Sequence, residues 1–234
     1  MQKQAPAAVL MVRPLAFGYN AEAALTNRYA QPPDRPAEDI RTQAVAEFDR
    51  MVDLLRAHDV AVHVHDNETE PASPDAVFPN NWVSFHADGT VVLYPMCAPV
   101  RRTERRPELL TWLGQHYRIS RVIDLSHFEQ EHKFLEGTGS VVFDYIHRKA
   151  YAARSARTHE DLVLHLCREL GYEPVVFNAL DEEGLPVYHT NVMLTIASRL
   201  VLICLDAVQQ ESHQEMLLAH LHDTGRKIIA LSHA

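Results

Sequence analysis

The sequence predicts an α/β protein made by repeating one strand–strand–helix–strand motif. Three observations carry this reading. Short β-rich runs come in pairs around turn residues. Each pair is followed by apolar residues at helical spacing and then by another β-rich run. The order recurs at roughly 50 residues, a period that suggests a radial or stacked architecture. An ordinary α/β domain with hairpins is the alternative.

The first repeat opens with the short apolar strand Val9 to Val12, stopped by Arg13-Pro14. A polar, proline-rich loop runs to Pro36. Ile40, Ala44, Phe48, Met51, Val52 and Leu55 then recur at three- and four-residue steps, the stripe of an amphipathic helix. Alternation from Val60 to His65 ends this repeat in a strand. Only one strand precedes its helix, and in a closed ring the missing one would come from the C-terminal end.

The second repeat pairs Phe78 to His86 with Thr90 to Tyr94 across Ala87-Asp88-Gly89, a strong hairpin signal. A helix carrying Leu109, Leu110 and Leu113 follows, then the strand Arg121 to Leu125. In the third, strands Gly139 to Tyr145 and Ala150 to Ala153 turn at His147-Arg148-Lys149. Its helix starts at Thr158 as N-cap and stops at Gly171, and Pro174 to Phe177 closes it. In the fourth, Asn191 to Ile196 pairs with Leu200 to Leu205. A helix carrying Met216, Leu217, His220 and Leu221 ends near Gly225 and leads to the strand Lys227 to Leu231.

The 234 residues are 47% hydrophobic, which fits a single soluble α/β domain spanning residues 1–234, with no Ser/Gly-rich linker dividing it. A net charge of −9 argues against nucleic-acid and anionic-membrane partners. The one basic cluster, Arg101, Arg102, Arg105 and Arg106, reads as a solvated helix start. The opening residues lack a signal-peptide core, and three cysteines without CxxC spacing fit a reducing cytosol, so the expected location is cytoplasmic.

Three repeats begin with polar residues in apolar surroundings: Phe78-Pro79-Asn80-Asn81-Trp82, Phe134-Leu135-Glu136-Gly137-Thr138-Gly139 and Val187-Tyr188-His189-Thr190-Asn191-Val192. Taken singly, these are turn residues and a core histidine. Their coincidence in one repeat frame points to a site, because convergent carboxylate, imidazole and amide groups suit acyl or amidine transfer. The candidates are His189 and Glu136 for catalysis, and Asn80, Asn81 and Asn191 for substrate binding. HVHD and LAHLHD hold histidine pairs without a convergent third ligand, so no metal or cofactor is expected.

These segments carry a family resemblance. VLMVRPLAFGYNAEAALTN, FPNNWVSFHADGTVVLYPM with RRTERR, FLEGTGSVVFD, YAARSART and YHTNVMLTI resemble the guanidino-group modifying enzymes, the pentein or amidinotransferase superfamily, in its citrulline-utilisation hydrolase branch. The match runs nearly end to end. It implies a pseudo-fivefold α/β propeller of ββαβ units with an axial active site. It also implies that His189 protonates the departing amine and then activates water, and that Glu136 holds substrate N–H groups and assists proton transfer. Arg157, in SART, matches the arginine that binds the substrate carboxylate in arginine-deiminating relatives. The implied partner is a small amino-acid substrate. A homo-oligomer stays open.

The sequence departs from the family at two positions. Arginine-processing relatives carry an acid where this chain has Asn81 and another where it has Gly139. An amide both donates and accepts, matching a neutral ureido group, so the departures favour citrulline over arginine. The products would be ornithine, ammonia and CO2. The family nucleophile is a cysteine near the C-terminus, and Cys97, Cys167 and Cys204 do not match it. Cys167 and Cys204 read as buried structural thiols. The expectation is therefore a chain missing its last repeat and inactive alone. Alternatives are an amidinotransferase, an arginine or dimethylarginine hydrolase, and a non-catalytic propeller binding module.

Overall fold

In the computed structural model, which describes residues 3–66 and 73–232, each of the last three repeats forms its own small sheet. The elements run β1 (Ala8–Arg13), α1 (Ala21–Ala24), α2 (Ala37–Ala57), β2 (Ala61–Asp66), β3 (Val83–Phe85), β4 (Thr90–Leu93), α3 (Pro107–Gly114) and β5 (Arg121–Asp124). They continue with α4 (Gly137–Ser140), β6 (Val142–Asp144), β7 (Lys149–Ala153), α5 (Glu160–Leu170), β8 (Glu173–Phe177), β9 (Leu194–Ile196), β10 (Leu200–Cys204), α6 (Glu211–His222) and β11 (Lys227–Leu231). The sheets are β1-β2, β3-β4-β5, β6-β7-β8 and β9-β10-β11. In each three-stranded sheet the middle strand pairs antiparallel with the strand before it and parallel with the strand after the helix. Parallel pairing needs a crossover, and the helix of each repeat supplies it. This is the repeating order read from the sequence.

The chain forms two compact units, Pro6–Asp124 and Met1–Ala5 with Leu125–Ala234. In the first, Trp82, Val83, Val91, Met96, Leu109 and Leu113 build a core from β3, β4 and α3. Gly89 turns the β3–β4 hairpin at φ +84°, and a Cβ there would lie 2.6 Å from the Arg118 carbonyl, so only glycine fits. In the second, Tyr151, Val175 and Phe177 pack with Leu194, Val201, Ile203, Leu217 and Leu221. The stripe Leu162, Val163, Leu166, Cys167 and Leu170 buries one face of α5, and Gly171 in the left-handed region stops the helix. A contact without a sequence signal ties this unit together. The buried Gln4 amide donates to the Phe143 and Ile196 carbonyls at 2.8 and 3.1 Å and accepts from the Tyr145 N–H.

Several expectations need correction. The first strand of each later repeat is shorter than expected because a tight helical turn precedes it: Pro79–Asn81, Gly137–Ser140 and Thr190–Val192. Backbone bonds Trp82 N–H to Pro79 O, Ser140 N–H to Glu136 O and Met193 N–H to Thr190 O close these turns. His159, not Thr158, is the N-cap of α5, because its carbonyl accepts the first helical bonds, from the Leu162 and Val163 N–H groups. Met51 is exposed, and the buried face of α2 narrows to Phe48 and Val52. The loop before Pro36 contains α1, whose N-cap Asn20 side chain accepts from the Glu22 and Ala23 N–H groups. Cys204 is half-buried rather than fully enclosed. Among the described residues, no helix is long and apolar enough to cross a membrane.

A buried ion pair braces the second unit. Asp144, fully buried at the end of β6, accepts from both terminal nitrogens of Arg226, from the Ile146 and His147 N–H groups and from the His147 ring. Burial pushes its carboxyl up, but the Arg226 and His147 hydrogen bonds outweigh burial and hold it below the ordinary aspartate value. A depressed carboxyl contributes stability above its unfolded value and loses it as pH falls through the folded value. Urea unfolding from pH 7 down to pH 2 should therefore show Asp144→Asn destabilised at neutral pH, with its deficit shrinking below about pH 4. A deficit that stays constant with pH would show that the carboxylate charge contributes nothing.

Candidate active site

The tight turns that shorten the first strands also place the polar residues. Asn81 lies inside the turn before β3, Glu136 caps α4 before β6, and His189 precedes the turn before β9. Glu136 and His189 thus occupy the same place relative to their turns, whereas Phe78 holds that place in the second repeat and Asn81 falls at the end of its turn.

Glu136 and His189 meet within the second unit. Glu136 is fully buried and His189 is 5% exposed. His189 Nε2 lies 2.8 Å from Glu136 Oε2. An ionised Glu136 can only accept, so in that state the contact is a hydrogen bond that the ring donates from Nε2. Arg157 Nη1 donates to the same oxygen at 3.2 Å, and its side chain is 3% exposed. The guanidinium also sits 5.2 Å from the centre of the Tyr188 ring, which lies 4.7 Å from the His189 ring. Acid, imidazole, guanidinium and aromatic ring thus form one buried cluster.

The loop after β7 holds Arg157 in place. Ser155 Oγ donates to the Tyr188 carbonyl at 2.8 Å and accepts from the Arg157 N–H at 3.1 Å. A cavity of about 570 Å³ opens beside this loop, lined by Arg154, Ser155, Asn178, Leu180 and Gln210 among others. Arg154 is held by two bonds to Glu160 and one to Asn178. The cavity therefore offers amide and hydroxyl groups around a cation already neutralised by Glu160.

Asn81 belongs to a second cluster, within the first unit. It is 5% exposed, and its Oδ1 accepts from Arg101 Nη1 at 2.8 Å. Arg101 clamps Glu104 through Nε and Nη2 at 3.0 and 2.9 Å, and Glu104 accepts from Ser73 Oγ at 2.5 Å. Burial holds the Glu104 carboxyl above the ordinary glutamate value against the pull of Arg101. This corrects the reading of the arginine run as solvated. Pro99–Glu104 is a 3-10 turn in which Arg101 and Glu104 are buried. The spacing Arg101-x-x-Glu104 was the available signal, since one helical turn brings such a pair together.

The remaining candidates are less enclosed. Asn80 is half-buried and Asn191 is exposed beside His189. Cys167 faces the core, where burial pushes its thiol up to about 12, so it holds no thiolate near neutral pH. Among the described residues, no three His, Cys, Asp or Glu converge as a metal-binding group.

Residues 13–234 match the model of the eukaryotic N,N-dimethylarginine dimethylhydrolase family. No curated protein sequence matches. Among solved structures, the N-terminal domain of ArgZ, an arginine dihydrolase from the ornithine-ammonia cycle in cyanobacteria, bound to substrate, superposes with a TM-score of 0.68 at 20% identity. That likeness covers 95% of this chain and 75% of the ArgZ domain. AgrE in complex with ornithine and NAD+ gives 0.73 at 21% identity, covering 96% of this chain and 30% of that one. A dimethylarginine dimethylaminohydrolase adduct with 4-chloro-2-hydroxymethylpyridine gives 0.64 at 16% identity, over 96% of this chain and 75% of that one. The chain spans 29% of the longer ArgZ chain. At these identities the likeness establishes a shared mixed α/β fold of several small sheets.

Proposed function

We propose that this chain, which belongs to the dimethylarginine dimethylhydrolase family of the guanidino-group modifying superfamily, handles protons at a ureido or guanidino carbon through Glu136 and His189. The observation that carries this is the buried 2.8 Å contact between the two. An imidazolium stabilised by a buried carboxylate can pass one proton to a departing amine, and the neutral ring that remains can then take one from the attacking water. Hydrolysis of citrulline by this route consumes one water and yields ornithine, ammonia and CO2. Covalent catalysis of this kind needs a thiolate, a role that does not suit Cys167. A five-bladed propeller is the architecture we infer for this fold.

Charge supports a neutral substrate. Arg157 neutralises Glu136, and Asn81 offers its oxygen to the cation Arg101. With one lone pair of that oxygen taken by a cation, the amide N–H groups are the better placed to bond a substrate, which matches a ureido carbonyl and not a guanidinium, a group of donors only. The 3.2 Å contact favours Arg157 as counter-ion to Glu136 over its alternative role as anchor for a substrate carboxylate. A second reading, hydrolysis of dimethylarginine, is favoured by the family match over residues 13–234.

Calorimetric titration of the protein with citrulline, arginine and dimethylarginine, alongside assays for ornithine and for released amine, separates the two readings. Citrulline should bind tightest and yield ornithine; preference for dimethylarginine with release of dimethylamine would overturn the first reading. Asn81→Asp should shift the affinity ratio toward arginine. A charge-assisted hydrogen bond is worth about 1.5–3 kcal/mol, roughly 10- to 150-fold. Arg101 absorbs part of the new charge, so about tenfold is expected. An unchanged ratio would remove Asn81 from substrate selection.

A further inference from the structure

Two buried hydroxyls outside the Glu136–His189–Arg157 contacts connect to all three residues. Thr190, next to His189 and fully buried, donates from Oγ1 to the Ser140 carbonyl at 2.6 Å and accepts from the Ala153 N–H at 2.8 Å. Ser140, also fully buried, accepts the Glu136 N–H on Oγ at 2.9 Å and donates to the Arg157 carbonyl at 2.8 Å. The Glu136 N–H reaches that same carbonyl at 3.1 Å. Each hydroxyl donates once and accepts once, so both are satisfied, and each joins segments far apart in sequence.

We propose that Thr190 and Ser140 are positioning residues that set the separation of Glu136 and His189. The inference rests on reading that pair as the proton-handling groups. Its mechanical content is specific. Ser140 fixes the backbone of Glu136 against that of Arg157, which orients the carboxylate toward the guanidinium. Thr190 ties the segment carrying His189 to the last residue of α4 and to the end of β7. A displacement of about 1 Å between an acid and a base is enough to cost roughly 10²-fold in rate. Hydroxyls do this better than apolar side chains here, because the buried Ala153 N–H and Ser140 carbonyl would otherwise pair poorly.

The test reads the geometry without any turnover. In the His189 side chain, the Nε2–H held by a buried carboxylate should give a sharp, downfield imidazole proton resonance in water, with Tyr188, Arg157 and Glu136 as the neighbouring polar and charged groups. Thr190→Val keeps the shape and removes both hydrogen bonds. It should broaden or abolish this resonance, and in the active enzyme lower kcat about tenfold or more with little change in KM. Thr190→Ser restores the hydroxyl and should restore both signals. A Thr190→Val protein that keeps the resonance overturns the proposal, and so does a Thr190→Ser protein that loses it. Ser140→Ala provides the same readout if Thr190→Val does not fold, and retention of the resonance there is equally fatal. The resonance decides the positioning role, and substrate turnover decides the functional reading, so either can fail alone.

Discussion

On the proposed function, His189→Ala should lower turnover of the preferred substrate by about 10² to 10⁴ while leaving the fold intact. The size follows from what a positioned general acid–base group contributes. The retention of fold follows from the surroundings of the ring. Glu136 keeps Arg157 as a partner at 3.2 Å when the imidazole is removed, so no buried carboxylate is left without a counter-charge. Thr190 keeps its two hydrogen bonds, so the following turn stays anchored. KM should change little, because the imidazole acts on the departing amine and on water rather than holding the substrate. Thermal melting and steady-state kinetics on the same preparation separate the alternatives. A variant that melts several degrees lower and keeps its specific activity would make His189 a core histidine, and the Glu136 contact a packing arrangement.

How far the sequence anticipates this site depends on the scale at which a residue acts. The repeat order was legible because alternation and helical spacing are local patterns, and β4, β7 and β10 each lie where a β-rich run follows a turn signal. Glu136 and His189 stand out through the repeat frame, because each immediately precedes the tight turn of its repeat; Asn81 lies at the other end of its turn, so the frame aligns it less well. The tight turns before the first strands were not legible, because Asn-Asn, Gly-Thr-Gly and Thr-Asn are compatible with both a turn and a strand start. Charge runs are usually solvated, which hides Arg101; its spacing to Glu104 is a local signal, but only tertiary structure shows that Asn81 also meets its guanidinium. Ser140 and Thr190 carry no signal at all. A hydroxyl's role depends on which carbonyl and which N–H it reaches, and three of these four partners lie 17 to 50 residues away.

Glu136→Gln should destabilise the protein by about 3 kcal/mol, at the low end of the range for breaking a buried ion pair. The substitution keeps the side-chain volume, so no cavity contributes to the loss. It removes the charge that compensates Arg157, which is only 3% exposed and so gains little from solvent. The amide oxygen can still accept one hydrogen bond, which places the cost at the bottom of the range rather than the top. Arg157→Met should be similarly costly, since it leaves a fully buried carboxylate facing only the His189 ring among these partners. The double variant Glu136→Gln/Arg157→Met removes both charges together. It should be less destabilised than the two singles combined, by about 1–3 kcal/mol of coupling. Urea unfolding of the four proteins at pH 7 measures this directly. Solvent screening cannot erase the coupling, because both side chains are buried, and it should survive 0.5 M salt. If the single effects add to within about 0.5 kcal/mol, the two groups are not energetically paired. Arg157 would then be better read as the anchor for a substrate carboxylate than as the counter-ion that keeps Glu136 charged.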